Sequence, residues 1–231
     1  MSEPRTNFDF RYAVANTEII LAPRKSIETF GNTIINYSLV AEMMDDGDRI
    51  RVREGRMQAS RPQIITPSAY SNLLLEGFGD QAREYLSWLR DHEDDIRILQ
   101  YGYSLKQEAF SEEIVAGPLD AVVDRVKRAA ESRDDPFSAV VKGIDSLWDV
   151  CLVRLFWVVA HASVADNVRE LNARKMFELE AGIPLAVREE IEGAFAAAAK
   201  DPSLVKSLGS LLKRHGVFEH YQDRFFALVR R

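Results

Sequence analysis

The chain has 231 residues, 46% of them hydrophobic and 29% charged, with a formal net charge of −6. That balance excludes a disordered chain, and the lack of a Lys and Arg surplus argues against a protein that coats nucleic acid or anionic membrane without specificity. Acidity is concentrated in residues 67–135, which carry 15 acidic and 8 basic side chains. Cys151 is the only cysteine, so there is no intramolecular disulfide, and Met1 to Asn7 is polar, without the apolar stretch of a secretion signal. Both features fit the cytoplasm. The longest apolar run, Val150 to Ala160, is interrupted by Arg154 and falls short of the roughly 20 residues that cross a bilayer, so no membrane role is expected.

At the N-terminus Phe8, Phe10, Tyr12 and Val14 alternate with polar or small residues, which predicts a half-buried strand, followed by a turn near Asn16 and a return through Glu18 to Ala22. Ile35, Tyr37, Leu39, Ala41 and Met43 alternate in a second strand. Asp46-Gly47 then predicts a tight turn into Arg49-Ile50-Arg51-Val52-Arg53. With the turn at Asp46 and Gly47, Met43 faces Ile50, Ala41 faces Val52 and Glu42 faces Arg51. The apolar positions change phase beyond Arg53, from Ile50 and Val52 to Met57 and Ala59. A bulge at Gly55 accounts for this and brings Arg56 onto the polar face with Arg49, Arg51 and Arg53. Such a strip suits recognition of phosphate or carboxylate. The plainer reading has Glu42 and the acidic middle of the chain neutralise it within the protein.

Further on, Gln63 to Thr66 reads as a short strand, two helices follow from Pro67 and Asp80, and Ile96 to Leu105 returns to strand. Pro118 opens an amphipathic helix with Leu119, Val122, Val123, Val126 and Ala130 on one stripe, and Phe137 to Val141 is short and rich in β-formers. From Ser146, a candidate N-cap, no Gly or Pro intervenes until Gly182, which predicts one or two abutting helices over Leu147 to Ala181. Pro184, Pro202 and Gly216 punctuate three more. The expected class is α+β, with an N-terminal, mostly antiparallel sheet and packed helices (residues 1–145) followed by an all-helical part (residues 146–231).

No phosphate loop, dinucleotide fingerprint, nucleophile elbow or His-Glu-x-x-His motif is present. Within Asp91 to Asp95, His92, Glu93 and Asp95 form a weak metal candidate, more simply read as a solvated turn. His215, Glu219 and His220 straddle a helix break, which does not suit zinc. Cys151 and His161 lie about 15 Å apart along one helix, too far for a dyad. Tyr101 and Tyr103, near Arg97, offer a base-stacking platform or ordinary sheet packing. No cofactor is implied. The leading expectation is a cytosolic, non-enzymatic interaction or regulatory protein with an unidentified protein partner, acting as a homo-oligomer. One alternative is RNA or single-stranded nucleic-acid binding through Arg49, Arg51, Arg53, Arg56, Tyr101 and Tyr103. Another is an enzyme acting on a small phosphorylated or carboxylated molecule.

Overall fold

A computed structural model describes residues 10–43, 46–64, 80, 84, 99–100 and 103–229. The elements are α1 (Phe10–Ala15), β1 (Glu18–Leu21), β2 (Thr33–Met43), β3 (Asp46–Ala59), β4 (Gln63–Ile64), β5 (Leu99–Gln100), β6 (Tyr103–Ala116), α2 (Leu119–Ser132), β7 (Ser138–Ile144), α3 (Trp148–Ala173), β8 (Leu179–Glu180), β9 (Ile183–Pro184), α4 (Leu185–Lys200), α5 (Val205–Arg214) and α6 (Phe218–Val229). The main sheet has strand order β1-β7-β2-β3-β6. Its pairs are antiparallel except β2 with β7. The class is α+β, and the last part of the chain is helical, as the sequence pattern predicts.

Both faces of this sheet are covered, which explains the continuous burial from Tyr37 to Ala41 along β2. On one face Tyr37, Leu39, Ala41, Met57, Ala59 and Val141 pack against α3, with Phe10 and Ala13 of α1 in the same cluster. On the other, Val40, Ile50, Val52 and Val140 pack against Val122, Val123, Val126 and Ala130 of α2. The crossover from β2 to its parallel neighbour β7 therefore carries α2 over one face, and α3 follows β7 over the other. A third cluster, Ile183 to Val217, joins α4 and α5, with Phe218, Tyr221, Phe225 and Leu228 of α6 packed against it. The expected division at residue 145 separates the sheet from α3, although these two share one core; the separate cluster begins at Ile183.

Several sequence expectations are corrected. Residues 10–15 form a helix rather than a strand, because Phe10 and Ala13, three apart, are the positions that meet the core. The β2–β3 hairpin exists, but its register is one residue off: Ala41 faces Arg51, Val40 faces Val52, Leu39 faces Arg53 and Glu42 faces Ile50. Met43 pairs with Asp46, so Asp46 and Gly47 belong to β3 rather than to the turn. The β2–β3 ladder runs without interruption through Gly55. The apolar phase change there is a handover from the α2 face to the α3 face, and the register shift between Glu54 and Arg56 lies in the β3–β6 ladder. Gly55 is required for another reason: a Cβ there would come within 2.5 Å of the Tyr37 hydroxyl. Ser146 does not cap α3 but lies inside a 3-10 turn, Asp145–Leu147. The helix ends at Ala173, where Lys175 takes a left-handed conformation (φ 60°) without glycine, and the β8–β9 hairpin follows. By length and composition Asp145–Ala173 could span a membrane, but half of its most apolar window is buried, and α3 packs on the sheet. The predicted helices over 67–92 fall on residues outside those described, apart from Asp80 and Glu84.

Candidate functional site

Arg51 and Arg53 are two residues apart on β3, so both side chains stand on the α3 face, beside Ala41 and Leu39. That face ends at the carboxyl end of β7, where the chain turns through Asp145 into α3. Arg53 lies directly opposite Glu112 of β6. Its Nε donates to Glu112 Oε1 at 2.7 Å, and one terminal nitrogen donates to Asp145 Oδ1 at 2.6 Å and to the Asp145 carbonyl at 3.2 Å. Arg51 donates to Asp145 Oδ2 at 2.8 Å, and its Nε lies 3.8 Å from Glu112 Oε2. The Trp148 ring, at the first residue of α3, sits 5.5 Å from the Arg53 guanidinium.

This is a neutral cluster of two guanidiniums and two carboxylates, graded in exposure. The Arg53 side chain is 9% exposed, Asp145 13%, Arg51 21% and Glu112 46%. Burial of Arg53 and Asp145 carries a desolvation cost, offset here by short charge-assisted hydrogen bonds. Chemically the cluster is a clamp. Asp145 occupies the two guanidiniums as a ligand carboxylate would, and it ties β3, the edge strand β6 and the start of α3 together.

The remaining predicted site residues do not join it. Arg49 is exposed on the same face, whereas Arg56 is exposed on the opposite face, where its neighbour in sequence Glu54 meets Ser38 and Arg133. The four arginines therefore form no continuous strip. Tyr103 pairs with Ala59 through its backbone in β6, and Tyr101, Arg97, His92, Glu93 and Asp95 lie outside the described residues. Among the described residues, no three His, Cys, Asp or Glu side chains group as metal ligands. His215 is buried and bonded to Glu190, while His220 and Glu219 are exposed. Cys151 accepts the Ile144 N–H at 3.4 Å, and His161 lies against Trp157. Glu112, Asp145 and Trp148 were not singled out by the sequence, and their signal lies only in the fold.

Two other polar assemblies stand out. The segment between β1 and β2 lies along α3: Ser163 Oγ accepts the Ile27 N–H (2.9 Å), Asn167 Nδ2 donates to the Ile27 carbonyl (2.7 Å) and Thr29 Oγ1 (2.9 Å), and the Ser26 hydroxyl donates to Asp166 (2.7 Å). The open cleft beside it, about 700 Å³, is lined by Lys25, Glu28, Asp166 and Arg169 among others. Its buried polar groups are spent on holding the segment. The second assembly is centred on Glu190 of α4, which accepts from Arg214 (2.9 Å), Gln63 (3.2 Å) and His215 (3.2 Å). It links the helical unit to β4. Burial pushes the Glu190 carboxyl up, but the His215 hydrogen bond and the charges of Arg214 and Arg61 outweigh it and hold the group below its usual range.

No family model, curated protein or solved structure matches the chain.

Proposed function

We propose that this chain is a non-enzymatic interaction protein of the cytosol that works as a homo-oligomer. The observation that supports this is where its large apolar side chains reach solvent. Ile114 on the edge strand β6 is 50% exposed, and Phe226 and Val229 on α6 are 41% and 52% exposed. Of the twelve residues of α6 none is fully buried, although Phe218, Tyr221, Phe225 and Leu228 pack on the third core. Apolar side chains held on ordered elements in this way are what association surfaces are made of.

The nucleic-acid and small-anion alternatives drew on the arginines of β3. Arg51 and Arg53 are engaged by Asp145 and Glu112, and Arg49 and Arg56 stand on opposite faces of the sheet. The test is native mass spectrometry and light scattering of the purified chain at high micromolar concentration. A defined symmetric oligomer is the expected result. A chain that stays monomeric throughout would overturn the proposal.

A further inference from the structure

The main sheet ends on one side at β6, which has a strand neighbour only in β3 among the described residues. β6 spans 14 residues, but its pairing with β3 is broken between Lys106 and Ser111, so the regular edge segment is Ser111 to Ala116, the length of a typical strand of about 5–6 residues. Natural edge strands are normally protected by shortness, proline, bulges or charged side chains. Ser111 to Ala116 carries no proline and no bulge, and its only charges are two acids. It pairs regularly with β3, from Glu54 facing Ser111 to Arg49 facing Ala116. Its two acids are engaged from behind, Glu112 by Arg53 at 2.7 Å and Glu113 by Arg125 of α2 at 3.4 Å. Between this neutralised pair and Gly117, Ile114 is half exposed.

We propose that β6 is the self-association surface: two copies pair antiparallel along Ser111–Ala116, with a two-fold axis at Ile114, so that one sheet runs through both. This rests on the self-association reading and adds to it the surface and the register. The occupant follows from symmetry and charge. The open row of N–H and C=O groups on an edge strand is complemented by the same row running antiparallel. The two-fold axis of such a pair stands perpendicular to the sheet and keeps each residue on its own face. Facing residues then have the same parity, and the axis passes through a residue. An axis at Glu112 or Glu113 sets like charges directly opposite each other. An axis at Ile114 sets the exposed apolar side chain against its own copy, Glu113 against Val115 and Glu112 against Ala116.

The test is a cysteine on the axis of the full-length chain. In Ile114→Cys the two Cα atoms would stand about 4.5–5.5 Å apart, within the range of about 4.4–6.8 Å that a disulfide spans. The native Cys151 is buried and does not compete. Mild oxidation should give a covalent species of twice the 26.2 kDa chain mass on a non-reducing gel, reversed by reductant. In Ser111→Cys the two copies would be six positions apart, about 20 Å, and should not cross-link. Ile114→Lys, checked for native folding by circular dichroism, should shift the oligomer to monomer. If the wild type is an oligomer but Ile114→Cys fails to cross-link, Ser111→Cys cross-links equally, or folded Ile114→Lys still associates, the β6 inference is overturned while self-association stands. A monomeric wild type overturns both, and a stable complex with a different protein on this edge also overturns the inference.

Discussion

Asp145→Ala is the most informative single perturbation of the arginine clamp. It removes the acceptor of the 2.8 Å bond from Arg51 and the 2.6 Å bond from Arg53, and leaves two guanidiniums sharing Glu112. Breaking a fully buried pair costs about 3–5 kcal/mol. Arg53 keeps its 2.7 Å bond to Glu112 and the backbone carbonyl of residue 145, and Arg51 retains some contact with water, so the lower end applies, about 3 kcal/mol. For a chain of this size that corresponds to a fall in Tm of about 6–12 °C. Glu112→Ala removes a half-exposed partner that water replaces, and should cost about 1 kcal/mol or less. Urea unfolding should show lower midpoints at unchanged m for both variants. In an Arg53→Met background the Asp145→Ala penalty should shrink by about 1–2 kcal/mol, since the side chain that most needs Asp145 is gone. Equal penalties for the two carboxylates, or full additivity with Arg53→Met, would refute a buried clamp.

Three further outcomes follow from local geometry. Gly55→Ala places a methyl within 2.5 Å of the buried Tyr37 hydroxyl and should cost about 1–3 kcal/mol by thermal denaturation; a neutral result would mean that Tyr37 does not cover this glycine. Because the folded Glu190 carboxyl titrates below its usual range, its contribution is present above the ordinary glutamate value of about 4.3 and is lost as pH falls through the lowered folded value. The Tm gap between wild type and Glu190→Gln should therefore close on acidification below that value, and a gap that widened there would contradict the sign. Burial pushes the Cys151 thiol up, so a thiol reagent should react with it only when the chain unfolds, and rapid labelling of the native protein would count against the packing of α3 on β7.

What the sequence revealed was punctuation and local period. The alternation over Ile35 to Met43, the stripe after Pro118, and the breaks at Pro184, Pro202 and Gly216 each correspond to an element or its boundary. The register of β3 was not legible, for a physical reason. In a sheet covered on both faces, Leu39, Val40 and Ala41 are all buried, so matching apolar residues across a hairpin fits two registers equally well. The end of α3 was hidden for the opposite reason: the left-handed residue is Lys175, which carries none of the usual stop signal. The clamp was illegible because Arg53 meets Glu112 from 59 positions away and Arg51 meets Asp145 from 94. A strip of arginines shows that anions are needed nearby, and only the strand order shows that the chain provides them.

The same charge accounting makes the edge strand testable from behind. If Arg125 makes β6 competent to pair by neutralising Glu113, then Arg125→Ala should expose that charge without touching the edge itself. With the axis at Ile114, the two Glu113 residues would lie about 8 Å apart on one face. Their repulsion across wet surface is about 0.5–1 kcal/mol, a two- to fivefold weakening of association. That distance matches the Debye length of about 8 Å at physiological ionic strength, so added salt should restore the loss. Wild-type association, with Glu113 already paired, should respond less to salt. Dimer dissociation constants from sedimentation at low and high salt measure this directly. An Arg125→Ala variant that associates as tightly as wild type at low salt would show that Glu113 does not lie at the contact, and the axis would have to move away from Ile114.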